Sequence, residues 1–202
     1  MAKSKSSAFK NIIVLFVIAL ISVSILAVLN QITMEPIAKA EEEARAEIYR
    51  SVYSDAAEFE ELLGFTGESS SYAPADDSIT INAVLAAKDK SGSILGYVID
   101  ATSANGYGGD VQIAVGISNE GALTAFSVIS ASETPGLGAR ASEDEFASQF
   151  AGMPAEEIVF TKTGKSAPNE IDAISGATIT TTAVTTAVNE AINLYNTMLK
   201  GE

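Results

Sequence analysis

Residues 172–178 (DAISGAT) combine residue types that suit the binding of a phosphate-bearing group. Gly176 and Ala177 leave the backbone uncovered, so a bulky group can approach it closely. The last helical pattern of the chain begins within a few residues, and a helix N-terminus presents free N–H groups and partial positive charge, which favour phosphate. The alternative, which the local pattern favours by itself, is that Ser175 or one of the threonines is an ordinary N-cap.

Two glycine-rich segments have a similar character. Residues 133–138 (ETPGLG) follow a predicted strand, and Pro135-Gly136 is the pair expected at the centre of a type II turn. The same segment holds Leu137 between two glycines, where its side chain can press on a flat ring. Residues 106–109 (GYGG) predict a tight loop in which Tyr107 is able to stack on a ring. An ordinary turn and a hairpin entry are the alternatives for these two segments.

The chain contains no His and no Cys, which removes the usual nucleophiles, bases and soft metal ligands. A hydrolase built on an activated serine is excluded, because no histidine exists to activate it. Any redox chemistry must therefore come from a bound cofactor.

The N-terminal region predicts a membrane anchor. Residues 12–29 form an uncharged apolar run long enough to cross a bilayer core of about 30 Å. A cleaved signal peptide is the alternative, but the run is longer than a signal core of roughly 7–15 residues. Lys3, Lys5 and Lys10 precede the run without any acid, so the positive-inside rule assigns the N-terminus to the cytoplasm and residues after about 31 to the outside.

The exported part is strongly acidic. It holds nine of the twelve basic residues and all 26 acidic ones, a net charge of −17. Such a surface does not bind nucleic acid, because the phosphate backbone would be repelled. The absence of cysteine excludes a disulfide framework and a lipoprotein anchor.

The remaining pattern is α+β. Pro36 suits the first turn of a new helix, so we expect a break there and a helical stalk over residues 37–63, with an interruption near Ser54-Asp55 as the alternative to a continuous helix. A loop over residues 64–77 follows. The strands form an antiparallel meander and are predicted at residues 83–87, 94–101, 111–117 and 123–129. Further elements are predicted as a helix at 143–150, a strand near 158–161 and a helix at 180–199.

Taken in order, the three motifs resemble the covalent FMN-binding domain of the RnfG family, from the Rnf electron transport complex, and of its relative NqrC, from the sodium-translocating NADH:quinone reductase. The layout is similar too. It predicts a cytoplasmic N-terminus (residues 1–11), a transmembrane helix (12–31), a helical stalk and loop (32–78), and an extracytoplasmic FMN-binding domain (79–202) with an antiparallel β-meander and flanking helices.

The resemblance implies FMN joined by a phosphoester to Thr178 by a separate flavin transferase. It implies an electron carrier that relays electrons between the other subunits of a membrane-bound complex, one of which carries a second covalent flavin. The complex would couple electron transfer between ferredoxin and NAD to sodium or proton transport. Asp172 matches the acidic residue that the transferase reads. The cofactor-binding residues implied are Tyr107, Glu133, Thr134, Pro135, Gly136, Leu137, Gly138, Ser175, Gly176, Ala177 and Thr178.

One departure and two alternatives accompany this interpretation. Relatives often carry a histidine shortly before the Glu-Thr-Pro-Gly turn, whereas residues 130–132 are Ser-Ala-Ser here, so no role of an imidazole carries over. A membrane-anchored flavin reductase working as a single chain is one alternative. A pilin-like structural protein is the other, although the chain lacks a basic leader ending in Gly before a Phe-initiated helix.

Overall fold

The chain folds into two compact units, Met1–Arg45 and Ala46–Glu202. A computed structural model describes residues 2–62, 65 and 71–201, with side chains from residue 9 onward. Helix α1 (Ala2–Val52) makes up the first unit and continues into the first residues of the second. Within those described ranges, α1 is the one helix whose length and apolar composition suit a membrane span.

The second unit is built on a five-stranded antiparallel sheet whose strands, in the described part of the chain, are paired in sequence order. These strands are β1 (Glu58–Glu61), β2 (Ile79–Lys88), β3 (Ile94–Ser103), β4 (Val111–Ser118) and β5 (Leu123–Ala131). The predicted meander is confirmed, and β1 adds an edge strand that the sequence pattern does not predict.

Two predictions about the region before the sheet are wrong. Pro36 does not begin a new helix, because α1 passes through it. A proline removes one backbone hydrogen bond, and the helix formers on both sides continue the helical conformation past that loss. The predicted helix over 37–63 ends at Val52, close to the alternative interruption at Ser54-Asp55, and does not resume. Strand β1 follows and pairs with β2, and its Phe59 packs on the sheet. Residues 65 and 71–77 are irregular, in agreement with the predicted loop, while residues 64 and 66–70 lie outside the described residues.

The segment after β5 returns to one face of the sheet. It contains a 3-10 helix (Gly138–Ser142), α2 (Asp144–Ala147), β6 (Val159–Thr161), β7 (Glu170–Asp172) and α3 (Thr178–Leu194), which ends in a π-helical turn (Tyr195–Leu199). Strands β6 and β7 pair in parallel, and β7 is not predicted from the sequence. The helix predicted at 143–150 spans only Asp144–Ala147, and the final helix begins at Thr178, two residues earlier than predicted.

The main core lies between this face and α3. Alternating apolar residues of β3 and β4, among them Tyr97, Ile99 and Ile113, are fully buried against α3 residues such as Val184 and Val188. A β-bulge between Ile81 and Ala83 shifts the register of β2, which keeps apolar side chains on the core side both before and after it. Burial of these apolar side chains supplies most of the favourable free energy of folding of the second unit.

The opposite face carries a buried acid. Asp100 is fully buried in β3 and accepts hydrogen bonds from Tyr49 Oη (2.7 Å), Asn82 Nδ2 (2.8 Å) and Gln112 Nε2 (2.8 Å). Tyr49 lies in the last turn of α1, within the second unit. These donors compensate the carboxylate for the water that it has lost, and they fix the end of α1 on the sheet.

We expect Tyr49→Phe to lower the free energy of unfolding of the second unit by about 1–3 kcal/mol, because Asp100 stays buried and loses a hydroxyl donor. Urea unfolding of the detergent-solubilised chain, followed by near-ultraviolet circular dichroism, measures this difference. Tyr107→Phe is the matched control, since 69% of that side chain is exposed. Equal unfolding free energies for the two variants would contradict the role assigned to the Tyr49–Asp100 contact.

Candidate functional site

A cleft of about 440 Å³ opens where the three glycine-rich motifs meet. Its volume lies within the range of small-molecule sites, roughly 300–1,000 Å³. The motifs contribute a loop between β3 and β4, the segment after β5, and the start of α3. Residues that line the cleft are Tyr107, Glu133, Thr134, Leu137, Gly138, Gly176, Ala177, Thr178, Ile179 and Thr180.

Glu133 joins the residue 106–109 loop to the first turn of α3. Its Oε1 accepts hydrogen bonds from the backbone N–H groups of Tyr107 (2.8 Å) and Gly108 (3.3 Å), and its Oε2 accepts one from Thr180 Oγ1 (2.9 Å). Glu133 is only 9% exposed, so the carboxylate depends on these donors. One side chain therefore fixes both the loop and the first turn of α3 against the segment after β5.

The turn that follows Glu133 has the predicted geometry. Leu137 N donates to Thr134 O (3.1 Å), and Gly136 lies at φ +74°, the left-handed conformation that a type II turn needs at its third position. Gly138 is required for a different reason. A Cβ at this position would overlap Glu133 Oε2 and Thr180 Oγ1, so the absence of a side chain permits the carboxylate to reach α3.

The residue 106–109 loop is tight, as its sequence predicts. A Cβ on Gly106 would overlap the carbonyl of Gly109, and one on Gly108 would overlap the carbonyl of Ser132. The glycines thus let the loop close on itself at Gly109 and approach the backbone of Ser132, directly before Glu133. Tyr107 is carried at the tip of this loop with its side chain largely exposed.

A second turn delivers Thr178 to the cleft. Ala177 N donates to Ile174 O (3.0 Å), with Gly176 at φ +77°. A buried hydroxyl fastens this turn to α3, because Thr181 Oγ1 accepts from Ile174 N (3.1 Å) and donates to Ala177 O (2.9 Å). The threonine-rich start of α3 therefore uses its hydroxyls to fix the motif, at some cost in helix propensity.

Thr178 is the first residue of α3, and the N-cap position is Ala177, whose side chain offers no acceptor. Neither Ser175 nor a threonine is the N-cap, so that alternative is wrong. The first N–H groups of this 17-residue helix, where its partial positive charge lies, therefore have no capping side chain.

Three apolar side chains border the cleft and stay exposed: Tyr107 (69%), Leu137 (42%) and Ile179 (53%). Leu137 also lies close to the residue 172–178 motif, since a Cβ on Gly176 would lie 3.1 Å from Leu137 Cδ2. Large exposed apolar groups at the mouth of a cleft are typical of a ligand site. The cleft lining, all of it within the described residues, contains one carboxylate and no Lys or Arg.

Asp172 and Ser175 lie beside a different, smaller cleft of about 170 Å³, together with Arg140. Hydrogen bonds to Glu145 and Glu143 raise the pKa of the Arg140 guanidinium, which therefore stays charged. Asp172 is fixed through its backbone, whose N–H donates to Gln149 Oε1 (2.7 Å). The acidic residue of the motif thus lies outside the cleft that contains Thr178.

The structure accordingly brings eight of the twelve predicted site residues to one cleft. Pro135 and Gly136 shape the turn, and Asp172 and Ser175 line the smaller cleft. Sequence reasoning does not assign Ile179 and the Glu133 contact of Thr180 to the site. The signal for Ile179 is its spacing from the apolar stripe of α3, because it lies five residues before Val184, an offset that places an isoleucine off that stripe.

Two family models match this chain. A family model described as the FMN-binding domain matches residues 106–193, which include all three motifs. A second model, described as the RnfG N-terminal region, matches residues 1–52.

Among curated relatives, the chain is 36% identical to the G subunit of the Na(+)-translocating ferredoxin:NAD(+) oxidoreductase complex of Acetobacterium woodii, covering 95% of this chain and 93% of the relative. It is 32% identical to the G subunit of the ion-translocating oxidoreductase complex of Methanosarcina acetivorans, covering 91% and 92%.

The fold is similar to that of the crystal structure of the C subunit of the Na(+)-translocating NADH-quinone reductase from Parabacteroides distasonis, with a TM-score of 0.57 and 19% identity over 84% of this chain and 98% of that one. The crystal structure of Shewanella oneidensis NqrC gives a TM-score of 0.53 and 17% identity, covering 75% and 91%. At these identities the likeness shows the fold alone. The sequence relatives and the two family models go further, and the chain belongs to the RnfG family of ion-translocating oxidoreductase complexes, with the FMN-binding domain of that family.

Proposed function

We propose that this protein is a covalent-flavin electron carrier, with FMN esterified to Thr178, within an Rnf-type ferredoxin:NAD oxidoreductase complex. The observation that carries the proposal is the position of Thr178 at the uncapped start of α3, inside the cleft that the three motifs form. Membership of the family supports FMN as the cofactor, and the position of Thr178 in the cleft supports this residue as the attachment point.

The site fits a flavin phosphate ester. Thr178 is half-buried, and its phosphate would lie at the N-terminus of α3, where backbone N–H groups and the helix dipole favour an anion. The exposed faces of Leu137, Tyr107 and Ile179 offer apolar surface to an aromatic ring system. Bound FMN supplies the redox chemistry that a chain without His or Cys lacks.

Attachment balances as a phosphoryl transfer from an activated donor, a flavin dinucleotide. Thr178 Oγ1 would form the new O–P bond to the phosphorus that bears the riboflavin moiety, the phosphoanhydride P–O bond would break, and adenosine monophosphate would leave. A base of the separate transferase takes the hydroxyl proton, because the described lining of the cleft offers only Glu133, already engaged by three donors. Asp172 lines the neighbouring cleft, where the transferase would recognise it.

The membrane arrangement completes the proposal. Residues 12–31 would span the bilayer with the N-terminus in the cytoplasm, and residues 32–78 would connect the span to an extracytoplasmic domain, 79–202. The partners would be the other subunits, including one with a second covalent flavin. A tethered domain meets such partners at high effective concentration. Relatives are named as sodium-translocating and as proton-translocating, so either ion is compatible with this role.

The family assignment removes the pilin-like alternative, because the matched domain is an FMN-binding one. The single-chain reductase differs in one measurable respect: it would turn over with a soluble donor and acceptor in isolation, whereas a relay protein would not.

Thr178→Ala should abolish covalent flavin, because it removes the hydroxyl that forms the ester. Co-production with a flavin transferase, followed by intact mass and in-gel fluorescence under ultraviolet light, measures the loss. Thr182→Ala is the matched control: it lies one turn along the exposed side of α3, and its hydroxyl donates only to Thr178 O (2.9 Å). We expect the control to gain the mass of one FMN minus water, as the wild type should. Flavin retained by Thr178→Ala, for instance on Thr180, would contradict the assignment.

Gly138→Ala should reduce flavin occupancy and destabilise the domain by about 1–3 kcal/mol, because the added methyl group displaces Glu133 from Thr180 and opens the cleft. Gly92→Ala, in the β2–β3 turn, is the control. It introduces strain at φ +85° but lies outside the cleft lining. Flavin occupancy is measured from the ratio of flavin absorbance to intact protein. Occupancy that falls equally in both variants would show that general instability, and not the cleft, limits attachment.

A further inference from the structure

Glu133 is an acid whose partners, among the residues that the structure describes, are all neutral. The hydrogen-bond donors to its carboxylate are two backbone N–H groups and one hydroxyl. It is buried, and it lines the same cleft as Thr178. These three hydrogen bonds hold the residue 106–109 loop and α3 in place. An amide at position 133 could make similar contacts, so they do not explain why the residue is an acid.

We propose that Glu133 is a positioning residue that also lowers the reduction potential of the flavin. This inference rests on the proposed function, since it needs the flavin in the cleft. Reduction of a flavin in this cleft would add negative charge to the ring wherever proton uptake balances the added electrons only in part. A buried carboxylate nearby raises the free energy of the reduced ring relative to the oxidised one, because charges interact strongly where water is excluded.

The setting makes this effect local. No Lys or Arg belongs to the described lining of the cleft, so nothing there neutralises Glu133. Surface acids elsewhere on the domain are separated from the cleft by water and salt, which screen them over about 10 Å. The potential should therefore respond to this one buried acid and not to the large net negative charge of the chain.

Glutamine can replace Glu133 with little change of geometry. Its amide oxygen is able to accept from the N–H groups of Tyr107 and Gly108, and its Nε2 would face Thr180 Oγ1, a hydroxyl that can rotate to accept. Glu133→Gln thus removes the charge while keeping the loop and α3 in place. Thr180→Val keeps both the shape of its own side chain and the acid at position 133, but it removes the hydroxyl that donates to Glu133 Oε2. The negative charge of the carboxylate is then offset by fewer hydrogen-bond donors.

The test is a redox titration of the full-length flavinylated chain in detergent, with mediators and flavin absorbance as the readout. We expect Glu133→Gln to shift the midpoint potential upward and Thr180→Val to shift it downward. Glu120→Gln is the matched control, because it removes the same charge from an exposed site outside the cleft lining, in the turn between β4 and β5; its potential should equal that of the wild type. Near-ultraviolet circular dichroism checks that the fold of each variant is unchanged.

Each outcome decides the inference. A flavinylated Glu133→Gln whose potential equals that of Glu120→Gln would overturn it, as would shifts of the same sign in Glu133→Gln and Thr180→Val. If only Thr180→Val accepts flavin, its downward shift supports the inference and an unchanged potential overturns it. If neither variant accepts flavin, Glu133 serves assembly alone and the inference is overturned. A wild-type chain without flavin would instead refute the proposed function.

Discussion

A buried carboxylate whose described partners are all neutral constrains much of this site. Burial removes water from the Glu133 carboxylate, so its oxygens need hydrogen-bond donors from the protein. Two segments that are distant in sequence supply those donors. Meeting that demand brings the residue 106–109 loop and the start of α3 to the same place. The glycines at 106, 108 and 138 then follow as a requirement, because a side chain at any of them would occupy the space that the contacts need.

The same arrangement leaves the start of α3 open. Thr181 ties the preceding turn to the helix, and Ala177 stands where a capping side chain would otherwise be, so the first N–H groups stay available to an anion. In the proposed holoprotein the phosphate supplies the missing cap. Since the described lining of the cleft offers no basic side chain, the proposed covalent bond would provide the retention that an ion pair would otherwise give.

The sequence predicts the parts of this structure that depend on local chemistry. Strand alternation, the Pro135-Gly136 turn and the apolar spacing of α3 depend on near neighbours, and each agrees with the structure. Contacts between distant segments are harder to predict. The sequence pattern does not predict that β1, with Phe59, pairs with β2 at the edge of the sheet. Nothing near Glu133 in the sequence indicates that its hydrogen-bond partners include Tyr107 and Thr180. The location of Asp172 outside the main cleft likewise depends on tertiary structure.

The attachment of flavin to Thr178 is the central claim, and peptide mapping of the protein isolated from its own membranes tests it most directly. Lys165 and Lys200 flank a stretch without Lys or Arg, so trypsin releases residues 166–200 as one peptide. We expect this peptide to be yellow and fluorescent, with fragmentation that assigns the mass of one FMN minus water to Thr178. An unmodified 166–200 peptide, in a preparation where other covalent flavoproteins of the same membranes are fully modified, would contradict the claim.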